Sequence, residues 1–215
     1  MDWKKDGFVT PAKNQGGCAS CVPFSISAAI ESHNLKNGNN ASSDLAEQQL
    51  LDCTPDGSGV YRCKGNNYEP MLKYLVDNNQ ISETDYPYEE QKKECRAFGK
   101  RTVSKVTGFT RLTPGEEHLQ RAMATHGPVM VGIHAGWDFF GYYGGILTSS
   151  NCNGKNNPMN HAVLVIGYGS ENGEDFWLLK NSYGERWGED GFFKLKRNAG
   201  NMCKVADYTF TVNVA

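Results

Sequence analysis

Gln15-Gly16-Gly17-Cys18-Ala19-Ser20-Cys21 is the stretch on which the reading of this chain turns. It holds two of seven cysteines, and an odd total leaves at least one thiol without an intramolecular partner. It opens an apolar segment with helical character that runs from Cys21 to Lys36 and stops at Asn37-Gly38, where glycine suits a helix C-cap. Cys21 therefore stands at a helix start. Unpaired N–H groups and the positive dipole end favour thiolate over thiol there. Pro23 fits the first turn, where the N–H it lacks has no helical partner. A spare thiol in that place, six residues after Gln15, reads as a nucleophile. The competing reading is a buried structural thiol, since cysteine is among the most buried residue types.

The 215 residues allow one large domain or two smaller ones sharing a cleft, and 39% hydrophobic content supports a sizeable core. With a formal net charge of -2, nothing points to nucleic acid or an anionic membrane surface as a partner. There is no run of 18 apolar residues of the kind that spans a membrane. The opening Met1-Asp2-Trp3-Lys4-Lys5 is charged and has no apolar signal region, so an exported form would be a processed one. Cys18-x-x-Cys21 is a single CxxC with no second CxxC or paired histidines, so no metal site is expected. A redox CxxC would follow a strand, whereas Pro11 to Gly17 reads as irregular loop. Three disulfides plus one free thiol fit the remaining pattern and an oxidising compartment. Asn40-Ala41-Ser42 is a glycosylation sequon compatible with export.

Further helices are expected from Asp44 to Cys53, with capping-box spacing between Asp44 and Glu47, from Glu69 to Asn78 with Met71, Leu72 and Leu75 buried, and from Glu116 to Thr125. Residues 52–67 are rich in Gly, Asp and Asn and hold two cysteines, which marks a loop needing a staple. From about Val103 the pattern changes to short apolar runs between Gly-rich turns: 129–133, 162–166, 176–179, 192–195 and 208–214. Helices followed by strands give an α+β chain of two subdomains, the second an antiparallel sheet or barrel.

A thiolate nucleophile needs an imidazole beside it. Of five histidines, His33 and His118 fall on helices and are expected to face solvent, His126 precedes a Gly-Pro turn, and His134 ends a strand. His161 sits where a loop enters the strand Ala162-Val163, with its ring at an edge. Asn181 ends another apolar strand, ahead of a loop rich in glycine and aromatics. Its side chain can accept from one imidazole nitrogen and leave the other facing the thiol, although a plain turn asparagine would read the same way.

Gln15 to Cys21, Asn160-His161-Ala162-Val163 with Gly167-Tyr168-Gly169, and Lys180-Asn181-Ser182 with Trp187-Gly188-Glu189-Asp190-Gly191 together resemble the three signature regions of papain-like cysteine proteases, cathepsin L branch. The resemblance runs from Asp2-Trp3 to about Tyr208 and includes Val9-Thr10-Pro11, residues 47–53, Tyr86-Pro87-Tyr88 and Gly127-Pro128-Val129. It implies a papain-like fold with a left helical subdomain over residues 9–108. The right subdomain, β-barrel-like, covers residues 109–215 plus the N-terminal few, and the site lies in the cleft between them. It implies that Cys21 is the nucleophile, His161 its ion-pair partner and general acid, Asn181 the group that orients His161, and Gln15 with the Cys21 N–H the oxyanion hole. The implied disulfides are Cys18–Cys63, Cys53–Cys95 and Cys152–Cys203. The implied substrate-binding residues are Gly65, Asn66, Asn67, Tyr68, Gly132, Met159, Asn160, Ala162, Trp187 and Tyr208, with an aliphatic or aromatic residue preferred at P2. The family also implies peptide and protein substrates, no cofactor or metal, a monomer, an inhibitory propeptide in the precursor and cystatin-type inhibitors. It implies a lysosomal, vacuolar or extracellular site. No long His-containing insertion of the cathepsin B kind is present, which favours an endopeptidase.

Several positions depart from the family. Val22 and Pro23 stand where Trp and Ala are usual, Tyr183 where a Trp shields the Asn–His bond, and Lys64-Gly65-Asn66 where Asn-Gly-Gly is common. These motivate a second reading, a papain-fold protein with lost or reduced catalysis that serves in binding or storage. A third is a redox protein, which requires a Cys18–Cys21 disulfide.

Overall fold

The computed structural model describes residues 1–40, 43–57, 61, 63–152 and 157–215, so Ala41 and Ser42 of the sequon lie outside the described residues. The helices are α1 (Cys21–Lys36), α2 (Glu47–Cys53), α3 (Tyr68–Asn78), α4 (Glu116–Thr125) and α5 (Trp137–Phe140). The strands are β1 (Gln80–Ile81), β2 (Thr102–Ser104), β3 (Val106–Arg111), β4 (Val129–Ile133), β5 (Ile146–Leu147), β6 (His161–Glu171), β7 (Glu174–Lys180), β8 (Phe192–Lys196) and β9 (Thr209–Val214). β1 and β2 pair by themselves, and the other seven form one sheet in the order β3-β9-β4-β6-β7-β8-β5. All pairs in it are antiparallel except β5–β8. β3 and β5 are its edges, so the sheet is open and not a closed barrel.

Side chains alternate across a strand, and here the alternation sorts them between two cores. Met130 of β4 and Ala162, Leu164 and Ile166 of β6 join α1 and α3 in one core. Val129, Val131 and Ile133, with Val163 and Val165, join Leu119 and Met123 of α4 and Phe139 of α5 in the other. Both faces of the central strands are thus covered, which is why those strands read as continuous apolar runs.

Helix α1 lies between the helical part and the sheet, and fourteen of its sixteen residues are buried. It carries polar groups inside. Ser25 Oγ donates to Val163 O (2.8 Å) and lies 2.9 Å from Tyr68 Oη, which donates to Val131 O. His33, expected at the surface, is buried, with its Nε2 3.3 Å from Pro128 O and its ring against Gly127. The helix is covered on every side, so helical periodicity alone does not identify a solvent face.

Helix α2 starts at Glu47, three residues after the expected Asp44. Leu45 is bridged to Ser82, Ala46 N–H bonds Ile81 O, and the Asp44 and Glu47 carboxylates face Lys13 instead of capping. Strands β1 to β3 and β5 and helix α5 were not anticipated as elements; most are two to four residues long and depend on their neighbours. Disulfides join Cys18 to Cys63, Cys53 to Cys95 and Cys152 to Cys203, and leave Cys21 as the free cysteine. Cys18 is thereby unavailable for a redox pair with Cys21.

Candidate active site

Cys21 is the first residue of α1 and is buried. Burial pushes its thiol up from the ordinary value, while the N–H groups of Ala162, Val22 and Cys21 itself pull it back toward thiolate. His161 is the first residue of β6, and Asn181 directly follows β7. These strands pair with Leu164 opposite Lys180, so Asn181 comes beside the start of β6. The His161 Nε2–H donates to Asn181 Oδ1 at 2.7 Å, which fixes the tautomer and leaves Nδ1 for another partner. Burial holds the imidazole down to about 4, with the Asn181 bond acting in the opposite sense.

Aromatic rings enclose that bond. Tyr183 stands 4.9 Å from the His161 ring and Phe139 5.5 Å from it. Trp187 packs on Phe139 at 4.9 Å and edge-on to Tyr183 at 5.7 Å. Phe140 lies parallel to Tyr183, with centroids 6.3 Å apart. Tyr183 was expected here, but Phe139 was not singled out from sequence. Its only signal was the apolar run Trp137-Asp138-Phe139-Phe140 after Gly136.

The Gln15 amide is held at both atoms. Its Oε1 accepts from Ser182 Oγ (2.6 Å), and its Nε2 donates one hydrogen to Cys18 O (2.9 Å). No acceptor among the described residues takes the second amide hydrogen. The Gln15 main chain bonds Ser182 O at 2.9 Å, so the residue that follows Asn181 positions Gln15 twice.

A cleft of about 620 Å³ brings Cys21 and His161 together with Gly65, Asn66, Asn67, Tyr68, Gly132, Met159, Asn160, Ala162 and Tyr208. Val22, Tyr61 and Lys64 also line it and were not named from sequence as binding residues. Trp187 is not among the lining residues and belongs to the aromatic cluster around His161. A side chain at Gly132 would lie 3.1 Å from Met159 Sδ and 3.5 Å from the Tyr208 ring, so the missing Cβ keeps this wall open. Tyr208 is packed against Tyr68 and Phe210, and the Arg111 guanidinium sits 4.9 Å over its ring. The Asn66 Oδ1 accepts from Tyr61 N of its own loop at 3.2 Å, and its Nδ2 faces Ala19 O, in the segment before α1, at 3.5 Å.

A thiol at a helix N-terminus, a ring tethered to an asparagine and a clamped glutamine amide are the components of a thiol hydrolase site. The profile of the papain family cysteine proteases matches residues 1–213, and the chain belongs to that family. Among its relatives, cathepsin 7 of Mus musculus is 39% identical over 216 residues, covering 97% of this chain and 63% of the mouse protein. The chain thus spans less than two-thirds of that relative. The structure of digestive procathepsin L2 proteinase from the Tenebrio molitor larval midgut matches with a TM-score of 0.91 at 39% identity, covering 99% of this chain and 67% of that one. Bromelain from Ananas comosus, solved with an inhibitor, matches with a TM-score of 0.90 at 32% identity, covering 99% of this chain and 97% of that one.

Proposed function

We propose that the chain is a cysteine endopeptidase that cleaves peptide bonds through an acyl-enzyme intermediate. The observation that carries this reading is the 2.7 Å bond from His161 to Asn181 in the cleft that holds Cys21. Burial opposes a lone charge on either the thiol or the ring. Transfer of the thiol proton to His161 creates both charges together, so each offsets the other's burial. The three N–H groups around Cys21 and the α1 N-terminus favour the thiolate. The thiolate attacks the scissile carbonyl, forming a C–S bond and placing negative charge on oxygen. The Cys21 N–H and the second Gln15 amide hydrogen stabilise that charge; losing one such donor raises the barrier by roughly 3 kcal/mol. The imidazolium gives its proton to the leaving amine as the C–N bond breaks, and water activated by His161 then hydrolyses the thioester.

The halves are assigned as a left subdomain over residues 9–108 and a right one over 109–215 with the N-terminal residues. Tyr68, Met159, Ala162 and Tyr208 make an apolar wall suited to an aliphatic or aromatic P2 side chain. The precursor is expected to carry an inhibitory propeptide, and a lysosomal, vacuolar or extracellular site suits a disulfide-bonded chain. The test is turnover of a peptide library together with labelling of the thiol by an epoxide inhibitor. Cys21→Ala and Cys21→Ser are expected to abolish amide hydrolysis and labelling. Full activity in either would exclude the mechanism, and a library topped by arginine at P2 would exclude the pocket assignment.

A further inference from the structure

The two donors assigned to the oxyanion are carried at opposite ends of residues 15–21, and this inference rests on that assignment. Two consecutive glycines lie between them, with Gly16 at φ +59, so the loop's own backbone is permissive. One phenol oxygen touches both ends. Tyr88 Oη donates to Gln15 O at 2.8 Å and lies 2.6 Å from Ser20 Oγ. Tyr88 gives its one hydrogen to Gln15 O, so the 2.6 Å contact takes the hydrogen of Ser20 Oγ, which also lies 3.3 Å from Cys18 O. A chain of hydroxyls then runs from the residue before Cys21 to the Gln15 carbonyl. The Tyr88 ring is seated edge-on against Phe24 at 4.9 Å, and burial keeps the phenol protonated by pushing it up to about 12.

Two residues further on, Glu90 closes the loop from outside. Its Oε2 accepts from Gly17 N at 3.2 Å. Its carboxyl group fills the place of a Gly16 side chain, where a Cβ would fall 2.2 Å from the carboxyl carbon. Glu90 adopts φ +57, an uncommon conformation for a residue with a side chain. The segment is anchored from behind. Tyr88 N donates to Glu83 Oε1 at 2.7 Å, and Glu89 N donates to Gln48 Oε1 at 2.8 Å.

We infer that Tyr88 and Glu90 form a strap that sets the spacing of the two oxyanion donors, which makes them positioning residues for acyl transfer. The test uses the full chain carrying Tyr88→Phe, Glu90→Ala or Glu90→Gln. Five quantities are compared: kcat and KM on a peptide amide, the affinity of a peptide aldehyde, the alkylation rate of Cys21 by iodoacetamide, and Tm. An aldehyde adduct puts its oxygen in the oxyanion site, whereas alkylation reports only the thiolate. Tyr88→Phe and Glu90→Ala are expected to lower kcat and aldehyde affinity about tenfold, with KM and alkylation within about twofold. Glu90→Gln keeps an acceptor for Gly17 and is expected to restore most of the loss. Unchanged kcat, or a parallel fall in aldehyde affinity and alkylation, would overturn the strap. Gln15→Ala is the control. If it lowers aldehyde affinity while the strap variants do not, the strap alone fails. If it also changes nothing, the oxyanion assignment fails and the strap with it.

Discussion

His33 shows at the scale of one residue how position in the fold overrides sequence pattern. It was expected on a solvent face, yet α1 has none there, and the ring is sealed between Gly127 and Pro128. Burial, with Lys36 and His126 nearby, holds the imidazole down to about 4 from the ordinary 6.5. The unfolded chain therefore takes up a proton that the fold refuses. The stability tied to His33 is complete above pH 6.5 and is lost as pH falls toward 4, by roughly 3 kcal/mol. His33→Gln can still donate to Pro128 O without titrating, so urea unfolding of that variant should change less between pH 7 and 4 than the wild type does. An equal slope would show that the ring is not held neutral. Cys21 and Asn181 were legible because each stands at an element boundary, a helix start or a strand end, and Gln15 because it precedes a glycine pair in the loop before α1. Tyr88 was legible only as part of a shared Tyr-Pro-Tyr run. Its contacts lie 68 and 73 residues away, and no local pattern encodes them.

Among the elements, α4, β4 and β6 to β9 were legible because a run of apolar residues marks each, although β6 extends to Glu171 and β7 begins at Glu174, beyond those runs, and the six-residue β3, half of it exposed, carries no such run. β4 and α4 match the expected bounds residue for residue. The short elements were missed because their partners make them. β5 is two residues long and pairs with β8, and α5 is a single turn held in the second core through Phe139. The capping-box reading of Asp44 failed because Lys13 offers those carboxylates a closer partner. Disulfides act at this scale too. Cys152 and Cys203 are both buried and close a separation of 51 residues. Replacing both by alanine should cost roughly 4 kcal/mol by the loop-closure argument, read from the urea midpoint. A cost below about 1 kcal/mol would mean that packing alone holds that end of the molecule.

Across the whole molecule, an ionic cluster, buried at Glu31, Glu47 and Lys180 and open to solvent at Asp44, ties the helical part to the sheet behind the site. Lys13 Nζ lies 2.8 Å from Glu31, 2.8 Å from Asp44 and 2.9 Å from Glu47. Lys180, at the end of β7, donates to Thr10 Oγ1 at 2.7 Å and faces Glu31 at 3.9 Å. Glu31 belongs to the same helix as Cys21, and Lys180 directly precedes Asn181. The cluster therefore helps fix how the thiol's helix meets the strand that carries the asparagine. Sequence showed the charges but not their meeting, since they come from four separate segments.

The six paired cysteines and the single unpaired one make opposite demands on the surroundings. Bridges need an oxidant to form, whereas Cys21 works only while reduced. Cys18, Cys152 and Cys203 are almost sealed from solvent, but Cys95 is exposed. Activity measured against rising thiol concentration should climb as oxidised Cys21 is recovered, hold over a plateau, and fall once the exposed Cys53–Cys95 bridge opens. The width of that plateau is a property of how deeply each of the seven cysteines is placed, from sealed Cys152 to exposed Cys95. It would set the range of redox environments in which the molecule is both folded and armed.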